Sequence, residues 1–218
     1  MFKEIQWLLA KEMKTEWRQR YATAGLLLYV LCTVFVCYLS FRFLDDATTW
    51  NALFWVLVLF GAVNAGARSF LQESPGLQLY YYVLVRPQAV ILSKTIYNMV
   101  LLVLVSLANY VLMTILLGNP VEDKWAFLLI LIPGSSGLAG VITLVSAIAA
   151  RAGRNPALMA ILSFPLLMPL LITLIKASHF ALMGKPVGDY IGFSGVLVLL
   201  NMIIITLSYL LFPYLWKE

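Results

Sequence analysis

Few side chains in this sequence have the types and spacing that chemistry requires. His179 is the one histidine, so a general base near neutrality or an axial haem ligand would have to rest on it alone; a lone histidine between apolar runs reads more simply as a loop residue. Cys32 and Cys37 are the only thiols. They lie within one apolar run and match neither C-x-x-C, C-x-x-C-H nor a zinc spacing, which makes them small residues facing lipid or a neighbouring helix. Gly184-Lys185 is followed by Pro186 and lacks the upstream glycine of a phosphate loop. H-E-x-x-H, G-x-S-x-G and the acidic calcium-loop pattern are absent. The expectation is a chain with no catalytic residue, no metal ligand and no cofactor of its own, so that any nucleotide chemistry comes from another polypeptide.

One polar stretch does gather charge, turn formers and aromatic rings. It runs from Arg68 through Phe70, Glu73 and Ser74-Pro75-Gly76 to Tyr80-Tyr81-Tyr82, Arg86-Pro87 and Lys94. Ser-Pro-Gly is a turn signal. Leu77–Val85 is long enough for two helical turns, Pro87 stops it, and three consecutive tyrosines suit a surface that is part apolar and part wet. We read residues 68–94 as a docking element through which an outside partner acts on the rest of the chain.

The elements that hold this stretch are membrane spans. Of 218 residues, 62% are hydrophobic and 11% charged, against about 45–50% and about 25% in soluble domains; mean hydropathy is +0.93. Six apolar runs are long enough to cross a bilayer, at roughly Thr23–Phe43, Trp50–Ala67, Val90–Leu117, Trp125–Ala150, Ala157–Ile175 and Phe193–Leu211. The apolar run after the charged N-terminus is too long for a cleaved leader and reads as a retained anchor. Lys176–Gly192 reads as a second long connection, with Ala177–Met183 a short surface helix. Pro133, followed by Gly134, interrupts the fourth run, and Pro165 and Pro169 bend the fifth, since each proline removes a donor and clashes one turn back. Ser136, Gly140, Ala139, Thr143 and Ala147 repeat small residues every four positions, which lets helices approach closely. Acids and bases sit at span ends, against an ion-coupled carrier.

Residues 1–22 are different. Ile5, Leu9, Met13 and Trp17 recur every four residues, and Lys3, Lys11, Lys14, Arg18 and Arg20 point elsewhere. This is an amphipathic helix suited to the headgroup plane. The net charge of +5 reflects orientation rather than nucleic-acid binding, for which no basic, aromatic-interleaved polar surface exists. With the N-terminus in the cytoplasm, eleven of the 15 bases fall inside and only Arg42, Lys124, Lys176 and Lys185 outside, which places both termini and residues 68–94 on the cytoplasmic side.

Lys11-Glu12, Glu16, Arg18 and Arg20, then Arg68…Phe70…Glu73…Gly76-Leu77…Pro87…Lys94, then Arg151…Phe164-Pro165-Leu-Leu-Met-Pro169 resemble, in order and spacing, the CcmB family, the membrane subunit of the cytochrome c maturation system. Gln78 stands where the family pattern has an acid, and Tyr81-Tyr82 near its leucine pair. The resemblance implies an all-α integral membrane protein of ABC-2-type permease architecture, with residues 1–22 an interfacial helix and 23–218 the six-span domain. It implies a CcmA-like ATPase partner carrying the ATP, CcmC-like and CcmD-like membrane partners, a CcmE-like haem chaperone, haem handled by the complex, and a bacterial inner-membrane location; a homodimer within the complex is left open. On this footing Arg68, Phe70, Glu73, Gly76, Tyr81, Tyr82, Arg86 and Pro87 form the ATPase-docking set, with Glu73 paired to an ATPase base and the tyrosines supplying contact area. The alternatives are an ABC-2 exporter half for a lipid, glycan or drug, and a membrane enzyme or passive scaffold.

Overall fold

The computed structural model describes residues 2–19, 21–41, 44, 46–70, 85–152 and 156–217, and among them the secondary structure is wholly helical. A surface helix, α1 (Phe2–Gln19), precedes six long apolar helices: α2 (Tyr21–Phe41), α3 (Ala47–Phe70), α4 (Pro87–Leu117), α5 (Lys124–Arg151), α6 (Pro156–Leu182) and α7 (Val187–Lys217). All six are long and apolar enough to cross a membrane, and the chain is a multi-pass, all-α membrane protein. They alternate in direction, so the ends of α3, α5 and α7 lie at the same end of the bundle as α1.

The bundle is built around α5. In its most apolar stretch 72% of residues are buried, against 17% in α2 and in α7, so α5 is the hub and those two helices form the lipid-facing outside. Leu28, Phe35 and Leu39 on α2, and Leu199, Met202 and Leu210 on α7, are exposed, as befits surfaces meeting acyl chains. Glycines bring neighbours close to the hub. A Cβ on Gly66 of α3 would stand 2.1 Å from Ile142 Cγ2, and one on Gly134 of α5 would stand 2.2 Å from Leu174 Cδ1. Lipid gives no hydrophobic drive between helices, so this close approach and buried hydrogen bonds hold them together.

Four asparagines with their partners, and Ser146, supply those bonds. Asn98 on α4 donates to the Thr143 hydroxyl of α5 at 2.8 Å. Asn201 on α7 donates to the Pro133 carbonyl of α5 at 2.8 Å, and Ser146 of α5 donates to the Gly66 carbonyl at 2.7 Å. At the far end of the bundle the Ser178 hydroxyl of α6 accepts the Trp55 indole N–H at 2.9 Å and lies 2.8 Å from Asn51 Oδ1, while Asn51 Nδ2 donates to the Ile175 carbonyl. Asn109 of α4 donates to the Phe54 carbonyl at 3.4 Å. Around these bonds Trp50, Phe54, Tyr110 and Phe127 form a ring cluster with centroids 5.2–6.2 Å apart.

Several expected boundaries move. Lys176–Gly192 is not a long connection: α6 runs on to Leu182 and α7 begins at Val187, so Ala177–Met183 is no separate surface helix, and His179 sits in the last turn of α6 instead of a loop. Its good helix formers extend the helix until Gly184, whose φ of +59° provides a left-handed cap. The Lys185 N–H then bonds the Phe180 carbonyl, and the Gly184 N–H the Ala181 carbonyl, the paired bonds of a Schellman ending. Pro87 opens α4 as its first residue, where its fixed φ and missing N–H suit it; most of the expected Leu77–Val85 helix that it would stop lies outside the described residues. The helices run through Pro133, Pro165 and Pro169 and end beyond them.

Candidate functional site

The residues that flank the expected docking stretch converge at the α1 end of the bundle. Phe70 closes α3, and Lys94 stands two turns into α4. Lys94 is 4% exposed. Its ammonium donates to the Ser69 carbonyl at 2.7 Å, lies 3.6 Å from Glu12 Oε1 of α1, and stands 4.9 Å from the centroid of the Phe70 ring. Each contact has a clear physical basis. Ser69 is among the last four carbonyls of α3, which have no partner within the helix. That end also carries the negative pole of the helix dipole, and the Phe70 ring face attracts a cation. Glu12 supplies the countercharge that a buried ammonium requires, and it also pairs with Lys11 at 3.1 Å.

A compact apolar cluster lies beneath these charges. Leu8 of α1, Phe70 of α3, Ala89, Val90 and Ile91 of α4, Ala147 of α5 and Phe212 of α7 are buried together, with the Phe70 and Phe212 rings 5.7 Å apart. Ile5 and Val85 pack against its edge. Arg86 reaches Glu4 of α1 at 3.9 Å from an exposed position, a contact of the kind that contributes little. Five helices therefore meet where the chain leaves α3 and enters α4.

The helix α1 is docked on the protein. Leu8 is buried, Ile5 and Leu9 are half-buried, and Glu12 faces α4; Met13 and Trp7 are 64% and 77% exposed. The expected apolar stripe is thus divided between the bundle, which takes Ile5, and the outside, which takes Met13. Trp17 and Arg18 lie in α1, but their side chains, and all of Arg20, fall outside the described residues. So do Glu73, Gly76, Tyr81 and Tyr82, and with them the body of the expected Leu77–Val85 helix. Of the docking set, the structure places Arg68, Phe70, Arg86 and Pro87. Arg68 Nε donates to the Asn64 carbonyl of its own helix at 3.3 Å, Phe70 is in the cluster, and Arg86 caps α4 with extended backbone.

At the opposite end of the bundle Asp46 and His179 lie near each other. Asp46 caps α3. The Thr49 hydroxyl and the N–H groups of Thr48 and Thr49 donate to its carboxylate. These bonds, the Thr49 hydroxyl first, hold its pKa below the usual carboxylate range, with a small assist from His179 nearby. Among the described residues no group of three His, Cys, Asp or Glu side chains could hold a metal. Cys32 and Cys37 are free thiols, Cys32 exposed on the lipid-facing side of α2.

The comparison with known families decides the assignment. A model of the CcmB protein family matches residues 3–213, nearly the whole chain. The chain belongs to the CcmB family. This family is a membrane component of the haem-export and cytochrome c maturation system, a transport subunit that works with other components of that system, among them an ATPase subunit. No curated protein matches the sequence closely enough to be counted a relative. In the sequence Lys94 stands out as the end of the 68–94 stretch, near the start of a span, and as part of the family-like motif, and Glu12 as part of the family-like opening. Their pairing joins positions far apart in the chain, and no local spacing signals it. A charged residue eight positions inside a long helix was the one available sign.

Proposed function

We propose that this CcmB-family chain couples ATP hydrolysis by a separate CcmA-like subunit to haem delivery, or to release of a haem-loaded CcmE-like chaperone, in a bacterial inner membrane. The match over residues 3–213 is the observation that supports this reading best. In it the α3–α4 connection is the ATPase-docking element, lying on the cytoplasmic side with both termini. The bases at that end of the bundle, Lys3, Lys11, Lys14, Arg68, Arg86 and Arg151 among them, favour that orientation. ATP is held by the partner, haem is handled by the assembled complex with CcmC-like and CcmD-like proteins, and this chain binds neither. Glu73 pairs with an ATPase base while Tyr81 and Tyr82 fill a cleft beside it. A force applied there meets the ends of α3 and α4 directly and reaches α5, α7 and α1 through the Phe70 cluster.

Affinity purification of the chain from its native membranes, with identification of the bound subunits, tests the assignment. An ATPase and cytochrome c assembly proteins are expected. The double variant Tyr81→Asp/Tyr82→Asp should insert normally and lose the ATPase; unchanged co-purification would remove the docking assignment.

A further inference from the structure

We propose that Lys94 is a positioning residue that makes α1 and the facing ends of α3 and α4 move as one body. Its role in coupling rests on the docking reading above; the mechanical link itself does not. The Lys94 ammonium touches three groups on two other helices at once: the Ser69 carbonyl and the Phe70 ring at the end of α3, and the Glu12 carboxylate on α1. Its own backbone belongs to α4. Three segments distant in sequence, α1, the end of α3 and α4, are therefore tied through one nearly buried charge.

The physical asymmetry of such a contact gives the link its stiffness. A buried ammonium cannot exchange its partners for water without exposing the apolar cluster beneath it, so partial opening is disfavoured. Glu12 is more exposed than Lys94, with 19% against 5% side-chain exposure, so the link parts first at the α1 side. On that side Leu8 is the side chain that would be uncovered, since it is 8% exposed and packs in the cluster with Phe70 and Val90. By contrast, the Glu4–Arg86 contact at 3.9 Å is long and exposed, and it cannot hold α1 in place by itself. When the partner moves the α3–α4 connection, α1 therefore moves with it, and displacement at the cytoplasmic surface is carried along the headgroup plane as well as into the bundle.

The test uses the full chain in membranes, with Cys32→Ser and Cys37→Ser removing the native thiols and Leu8→Cys reporting on α1. Maleimide labelling of that cysteine is expected to be slow in the parent and about tenfold faster in Lys94→Met and in Glu12→Gln, because each removes the ionic contact between α4 and α1. Lys94→Arg, which keeps the charge and its donors, should restore slow labelling. Equal labelling in all four chains would overturn the link. The same variants are then assayed in the complex with its ATPase for c-type cytochrome formed per ATP hydrolysed. A fall in that ratio with the ATPase still bound supports the coupling role, and an unchanged ratio alongside faster labelling overturns it. If the unmodified chain brings down no ATPase, the docking reading fails, while the labelling result still decides the link.

Discussion

Ser178 shows how much one hydroxyl does inside this bundle. It accepts the indole N–H of Trp55, and its single proton has the choice of Asn51 Oδ1 at 2.8 Å or the Leu174 carbonyl at 2.7 Å. Ser178→Ala leaves the Trp55 donor without its acceptor and removes a donor from Asn51. The expected loss is about 1–2 kcal/mol, read from the midpoint of denaturation in mixed detergent. Asp46 offers a pH-dependent case at the surface. Its folded pKa is lowered by the Thr49 hydroxyl and the Thr48 and Thr49 N–H groups, so the stability it lends is complete above the unfolded carboxylate value of about 3.9 and disappears as pH falls through the lower folded value. Asp46→Ala should therefore melt below the parent at pH 7, and the two melting temperatures should converge as the medium is acidified through the lowered folded value. A gap that persists there would mean that the cap acts through something other than the ionised carboxylate.

At the scale of helices, close approach to α5 sets the tolerances. Gly66 and Gly195 are both glycines in apolar helices, yet a Cβ at the first meets Ile142 at 2.1 Å and one at the second meets nothing within 4 Å. Gly66→Val should cost about 1–3 kcal/mol and lower the yield of folded protein in detergent, whereas Gly195→Val should leave the yield near that of the parent. Size-exclusion chromatography of the two variants separates these outcomes. The sequence made the six spans legible because length and apolarity are local properties. It placed the end of α6 too early because Lys176 and His179 look like the start of a loop, while the Schellman ending that stops the helix at Gly184 depends on backbone geometry. The asparagine contacts escaped the sequence for a related reason: Asn51, Asn98 and Asn201 sit in apolar runs, and their partners lie 45 to 127 positions away.

For the whole molecule, orientation is the property on which the functional reading depends. A cysteine in place of Lys185, in a chain lacking Cys32 and Cys37, should react with an impermeant maleimide in intact cells or spheroplasts. One in place of Arg151 should react only after the membrane is opened. The reverse pattern would put the α1 end outside, away from any cytosolic ATPase. The candidate site was legible in part: the polar stretch between α3 and α4 and its family resemblance were readable from Arg68, Phe70, Pro87 and Lys94, but the contribution of α1 was not. An amphipathic helix with exposed Trp7 and Met13 has the composition of a lipid-bound element, and only the positions of Leu8 and Glu12 reveal that its other side belongs to the protein.

The burial of α5 also bears on how the protein is made. It is the fourth of six spans, so it enters the bilayer before α6 and α7 exist, although both later cover it. During that interval its hydroxyls would face acyl chains, yet Ser135 donates to the Leu131 carbonyl at 2.7 Å and Thr143 to the Ala139 carbonyl at 2.6 Å, both within the helix itself. Such bonds let a helix with polar side chains wait in lipid without an outside partner. The Pro133 carbonyl meets the Asn201 amide only when α7 arrives beside it. Arrival of α7 and closure of the polar core are thus a single event, and a nascent protein halted before Asn201 would be inserted but not locked.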